Sequence, residues 1–142
     1  MSRDDSDEAY VIDLCDDLLG CKAHRQARFD FLRGDPGPSG RRVRLPVDAY
    51  WPELRLVIEY REHQHYESVP IMDRRRTISG VPRGAQRRKY DDLRETLLPK
   101  NGLNLVILRA DEFELTPRKR LRRHLESDRE VVRASLARFL KD

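Results

Sequence analysis

The chain is short of everything that would hold a fold together covalently. Its 142 residues contain two cysteines, Cys15 and Cys21. Neither stands near a second cysteine or a histidine at the spacing of a zinc site, so no disulfide framework and no zinc module is expected, and both thiols read as reduced groups in or near the core. No apolar run approaches the roughly 20 residues of a bilayer span. The acidic start lacks the basic-then-apolar form of a signal peptide, so no membrane partner and a cytoplasmic location are expected. Internal repeats at solenoid periods and low-complexity tracts are also missing. Lysine is scarce, with five among 29 basic residues against 24 arginines. Arginine forks bind phosphate bidentately, which favours an anionic polymer as partner, although a GC-rich genome produces the same bias.

What remains is a single domain of ordinary size with one core. Hydrophobic and charged residues each make up 38%, with a net charge of +4, which describes a heavily charged surface on a folded chain.

The organising stretch is LPVDAYWPELRLVIEYREHQH, residues 45–65. Val43, Leu45, Val47 and Ala49 alternate with polar or turn-forming neighbours, and Leu54, Leu56, Ile58 and Tyr60 do the same, which predicts two strands. Trp51-Pro52-Glu53-Leu54 supplies a turn between them. A register pairing Trp51 with Leu56 continues to pair Asp48 with Glu59, and directly opposed residues share a face with Cβ atoms about 4.5–5.5 Å apart. Two carboxylates that close repel unless a cation lies between them, and a hard divalent cation suits oxygen ligands. Arg61, two residues past Glu59, shares that face.

Pro46-Val47-Asp48 with Glu59-Tyr60-Arg61 resembles the core of the PD-(D/E)xK nucleases, and the continuation through Glu62-His63-Gln64-His65 is similar to the E-x-D-G-x-Q-H pattern of the compact branch related to the very-short-patch-repair endonucleases. Asp91-Asp92-Leu93-Arg94, Leu97 or Leu98, Gly102 and the run Leu103 to Arg109 are similar to that branch's following helix and strand. The likeness covers roughly residues 8 to 113. It implies a restriction-endonuclease-like α/β fold, with a mixed sheet of about four strands flanked by helices. It also implies a Mg²⁺- or Mn²⁺-dependent endonuclease acting on DNA. Asp48 and Glu59 would hold the metal, with Gln64 and His65 at family positions. Arg61 stands where the family has lysine, and Glu62 where glycine is common. Arginine cannot give up its proton, so Arg61 is left to hold a phosphate or an attacking water, and His65 is the nearest candidate base. Glu8 or Asp13 of the first helix is a candidate to complete the metal site. Gln86-Arg87-Arg88-Lys89-Tyr90 resembles a Q-x-x-x-Y element of some exonuclease branches, which adds Gln86 and Tyr90 as secondary candidates.

Around this centre the periodicity predicts a helix over 7–19, capped by Asp5 or Ser6, with Val11, Leu14, Cys15 and Leu18 inward and Gly20 as its stop. Asp13, Asp16 and Asp17 lie off that stripe and read first as a solvated acidic face. HRQARFDFL, residues 24–32, predicts a strand with Phe29 and Phe31 on one face. A Gly- and Pro-rich hairpin loop follows over 33–40, with no P-loop lysine behind its glycines. Residues 73–89 hold seven basic groups against one acid. Arg74, Arg75, Arg76, Arg83, Arg87 and Arg88 are therefore candidates for contact with a phosphate backbone, against the plainer reading of a solvated helix face. A helix over 85–98 buries Tyr90, Leu93, Leu97 and Leu98. The apolar run 103–108 predicts a central strand covered on both faces and parallel to the Glu59 strand. Residues 1–113 form the nuclease-like core and 114–142 a basic helical extension. That extension has one helix from Thr116-Pro117 carrying Arg118 to His124, and a last helix capped by Ser127. The extension serves nucleic acid, a homodimer or a partner protein. Two other classes compete with the nuclease: a catalytically inactive nucleic-acid-binding module, and an interaction subunit that keeps the fold as scaffold.

Overall fold

The computed structural model describes residues 6–62 and 83–140, the side chain of Arg83 excepted. The chain is α/β. Its described residues contain three α-helices, a mixed four-stranded sheet and a separate two-stranded one. They fall into two compact units, one of residues 6–27, 47–62 and 104–140, the other of 28–46 and 83–103.

In the first unit α1 spans Asp7–Leu19. The Ser6 side chain accepts a hydrogen bond from the Ala9 N–H, and Asp7 and Glu8 place negative charge at the positive end of the helix dipole. Gly20 ends the helix at φ 75°, donating its N–H to the Asp16 carbonyl. The sheet runs β1 (His24–Arg25), β4 (Ala49–Trp51), β5 (Leu56–Arg61), β6 (Asn104–Arg109) in spatial order. β4 and β5 are antiparallel with Ala49, Tyr50 and Trp51 opposite Ile58, Val57 and Leu56, the register predicted from the alternation. β5 and β6 are parallel from Leu56↔Asn104 to Arg61↔Arg109.

The sequence places the covered strand at 103–108, but the structure places it at β5. All six residues of β5 are buried, whereas β6 is the edge of the sheet and is mostly half-buried. An apolar run serves equally for an inner strand and for an edge strand that packs on one face, so run length alone does not rank the two. Leu56, Ile58 and Tyr60 share a core with Ala49 and Trp51, with Val11, Ile12, Leu14 and Cys15 of α1, and with Val132 and Leu136 of the C-terminal region.

The predicted helix at Thr116-Pro117 does not form. Instead Leu115 bridges Leu121, the Thr116 hydroxyl accepts from the N–H groups of Arg118 and Arg120, and Lys119 turns the chain at φ 65°. Threonine at this position caps a turn as readily as a helix. The last helix, α3 (Leu125–Ser135), begins before Ser127, which donates to the His124 carbonyl from within the first turn.

In the second unit, residues 28–36 and 42–46 form an antiparallel hairpin, β2 (Arg28–Pro36) and β3 (Arg42–Pro46). Its turn closes on Gly37 N–H to Arg41 carbonyl, with Gly40 at φ 80°. The two strands predicted over 24–32 and 43–50 are therefore each divided. Gln26, at φ 58°, separates β1 from β2, and Val47-Asp48 separates β3 from β4. α2 spans Arg83–Lys100 and places Tyr90 against the hairpin, whose Asp35 N–H donates to the Tyr90 hydroxyl at 2.9 Å. Gly34 lies close against the Tyr90 ring and Leu45.

Candidate functional site

Asp48 and Glu59 meet at the end of the β4–β5 pairing, by a route that strand pairing alone does not supply. β3 ends at Pro46, which has no N–H to offer a ladder. The Val47 N–H turns to the Ala27 carbonyl at 2.8 Å, and the Asp48 carbonyl accepts from the Gln26 N–H at 3.1 Å. Asp48 therefore lies just outside β4. Its own N–H donates to Glu59 Oε2 at 2.6 Å, while the Tyr60 N–H donates to Asp48 Oδ2 at 2.7 Å. Each acid holds the main chain beside the other. These reciprocal charge-assisted bonds fix both carboxylates without a long flexible side chain. Glu59 is 5% and Arg61 3% exposed, whereas Asp48 is half-buried.

Arg61 follows Glu59 on the same strand face and is buried there. Tyr60 points to the opposite face, into the core. Burial, then the charges of Asp7 and Glu62, push its phenol above the ordinary tyrosine range, so it is neutral at physiological pH.

Glu8 sits in the first turn of α1 and accepts from the Gln26 side-chain amide at 3.2 Å. Since the Gln26 main chain also holds the Asp48 carbonyl, Glu8 is linked to Asp48 through one residue. Asp13, the other helix acid considered, is turned to Arg25 at 2.6 Å. Asp16 and Asp17 are not simply solvated either. Asp16 accepts from the Ala23 N–H, Trp51 Nε1 and Arg25, and Asp17 pairs with Arg129. Among the described residues no three Asp, Glu, His or Cys side chains cluster closely enough to hold a metal ion. Asp48 and Glu59 are thus a pair of oxygen donors, a set that suits Mg²⁺ or Mn²⁺ better than zinc, because Mg²⁺ keeps several waters and takes only one or two carboxylates.

Gln64, His65, Arg74, Arg75 and Arg76 lie outside the described residues, as does the side chain of Arg83. Arg87 and Arg88 are exposed on α2. Gln86 and Tyr90, expected near the site from the Q-x-x-x-Y likeness, both serve the hairpin. Gln86 Nε2 reaches Asp35 Oδ2 at 3.3 Å, and Tyr90 accepts from the Asp35 main chain. The basic segment 118–124 is occupied internally to a large extent. Arg120 and Arg123 bind Asp7, and Arg122 and His124 flank Glu114. The sequence carried no sign of the Asp7 pairs, because that acid is more than a hundred residues away.

No helix among the described residues is long and apolar enough to cross a membrane. Comparison with family models, with curated proteins and with solved structures finds no match to this chain.

Proposed function

We propose that the chain is a divalent-metal-dependent phosphodiesterase acting on DNA, built on a restriction-endonuclease-like α/β core. The reading rests on one observation: the Glu59 carboxylate accepts from the Asp48 N–H and the Asp48 carboxylate from the Tyr60 N–H, with Arg61 next on the same strand face as Glu59. A divalent cation bound by both carboxylates lowers the Coulomb energy of holding two acids close together.

Asp48 and Glu59 would hold Mg²⁺ or Mn²⁺, which when bound polarises the phosphoryl oxygens and generates a nucleophile from water. Arg61 presents a permanent charge to the scissile phosphate and stabilises the charge that develops there. His65, outside the described residues, is the candidate for moving the proton. Arg74, Arg75, Arg76, Arg83, Arg87 and Arg88 supply the positive charge that holds the DNA backbone. A second reading, an inactive nucleic-acid-binding module, is favoured by the burial of Glu59 and by arginine at position 61.

The test is calorimetric titration of Mn²⁺ into the wild type and into the Asp48→Asn, Glu59→Gln pair, followed by cleavage assays on a panel of DNA forms. Both amides keep an acceptor oxygen for the Tyr60 and Asp48 N–H groups, so the interlock survives while the charge is lost. Saturable binding and cleavage in the wild type, both absent from the double variant, support the proposal. A wild type that binds no Mn²⁺ even with DNA present sinks it.

A further inference from the structure

The β2–β3 hairpin carries five arginines, Arg28, Arg33, Arg41, Arg42 and Arg44, and all five are exposed. Only two acids, Asp30 and Asp35, share the segment. Asp35 is taken by Lys89 at 2.6 Å and by Gln86, which leaves Asp30 as the one acid on the outer side. The two faces of the ribbon differ sharply. Leu32, Gly34 and Leu45 are buried, with Gly34 close against Tyr90. Arg33 and Arg44 are direct cross-strand partners on the other face, and Arg42 follows Arg44 two residues back.

Like charges placed directly opposite each other destabilise a hairpin. Asp30 lies 3.7 Å from Arg33 and 3.3 Å from Arg44, and its side chain is 87% exposed, so it offsets little of that cost. Three of the arginines are also pre-arranged. Arg33 donates from Nε to the Asp30 carbonyl and from a terminal nitrogen to the Arg42 carbonyl, both at 2.9 Å. Arg42 donates from Nε to the Gly34 carbonyl at 3.0 Å, and Arg28 reaches the Arg44 carbonyl. A guanidinium has five N–H donors, so these latches immobilise the fork and still leave donors for an anion. Holding the forks before binding removes part of the entropy cost of ordering them.

We infer that this hairpin is a duplex-DNA-binding ribbon, which lays its arginine face along the phosphates bordering the major groove. The major groove of B-form DNA is about 12 Å wide and admits a two-stranded β-ribbon, whereas that of A-form RNA is too deep and narrow for side chains to read. The inference deepens the proposed function and rests on it for the identity of the polymer.

The experiment measures anisotropy of a labelled 20-base-pair DNA duplex, and of a duplex RNA and a single DNA strand of the same sequence, across salt and in EDTA. The proteins are the wild type, the Arg33→Gln, Arg42→Gln, Arg44→Gln triple variant, and the same triple change to lysine. If three phosphate contacts are lost, the salt slope of log affinity falls by about 2.7, so between 50 and 200 mM salt the wild type loses about 40-fold more affinity than the glutamine variant. Tighter binding of DNA duplex than of the other two forms is expected in the wild type. The lysine variant is expected to keep the slope, which shows that loss in the glutamine variant is not misfolding. A glutamine variant with wild-type slope overturns the inference, as does equal wild-type affinity for duplex RNA. The same proteins are then given Mn²⁺. Ribbon-dependent binding without cleavage upholds the ribbon and removes the hydrolysis. Cleavage that the glutamine variant performs as well as the wild type removes only the ribbon.

Discussion

Replacing Asp7 should cost the chain a large part of the stability that ties its tail to α1. Asp7 is buried at the start of α1 and gathers the turn between residues 115 and 123. Its Oδ2 accepts from the Leu121 N–H at 3.1 Å and from Arg120 Nε at 3.0 Å, and its Oδ1 from Arg123 at 3.0 and 3.3 Å. In Asp7→Ala the buried Leu121 N–H loses its acceptor, which costs about 1–3 kcal/mol. The two guanidinium groups are 47% and 36% exposed, so water replaces much of what they lose and each adds only a fraction of about 1 kcal/mol. A total of about 2–4 kcal/mol lowers the melting midpoint by roughly 6–12 °C for a chain of this length. Asp7→Asn keeps an acceptor for Leu121 and should fall between the two. Burial pushes the carboxyl upward, but the bonds from Leu121, Arg120 and Arg123 outweigh it and hold the group below its ordinary value of 3.8. A depressed folded value means that the contribution is fully present above the unfolded value of about 3.9 and is lost as pH falls through the folded one. Melting curves followed by circular dichroism from pH 7 to pH 2 should show the gap between wild type and Asp7→Ala narrowing below about pH 4. An Asp7→Ala protein that melts with the wild type at pH 7, or a gap that stays constant into acid, refutes the reasoning.

Three further outcomes follow from the packing. Gly34→Ala would set a Cβ 2.8 Å from the Tyr90 ring and hydroxyl and 2.9 Å from Leu45, so it should destabilise the hairpin unit by about 1–3 kcal/mol, read by denaturant titration. Leu136→Ala removes a fully buried side chain and should cost about 2–5 kcal/mol, so ending the chain after Ser127, which deletes Val132 as well, should unfold the first unit rather than yield a smaller folded protein. Burial, with the charge of Asp16, pushes the Cys15 thiol up to about 12; burial with the charges of Glu53 and Asp16 raises Cys21 too, but Cys21 is only half-buried and stays accessible. A thiol reagent at pH 8 should therefore titrate one group in the native protein and the second only on unfolding, and two fast-reacting thiols would contradict the placement of Cys15.

The first helix, the Trp51–Leu56 register and the parallel β5–β6 pair were all legible, because each follows from local periodicity and a short turn. Gly20, Ser6 and Pro52 punctuate in ways that depend on their immediate neighbours. The tail was not legible. Arg118 to His124 reads as a basic helix whose charge is balanced by the nearby Glu126, Asp128 and Glu130, yet Asp7 organises it from the other end of the chain. The acids of α1 mislead for the same reason. Asp16 looks like one of three surface carboxylates, but it receives the indole N–H of the sole tryptophan, 35 residues away. Sequence separation hides ion pairs and side-chain caps far more than it hides strand registers, since a register repeats over several residues and a clasp occurs once.

The candidate site divides along the same line. Extending the hairpin register correctly brings Asp48 opposite Glu59, but the ladder stops at Ala49↔Ile58, and what joins the acids is a pair of side-chain to main-chain bonds. That difference has a chemical consequence. Carboxylates held only by strand pairing would splay when repelled, because each could rotate about its own side-chain torsions. Here, separating them breaks a bond to the Asp48 N–H and another to the Tyr60 N–H, so their positions are coupled. Two acids kept together in this way, next to the buried Arg61, are the arrangement on which the proposed metal site rests.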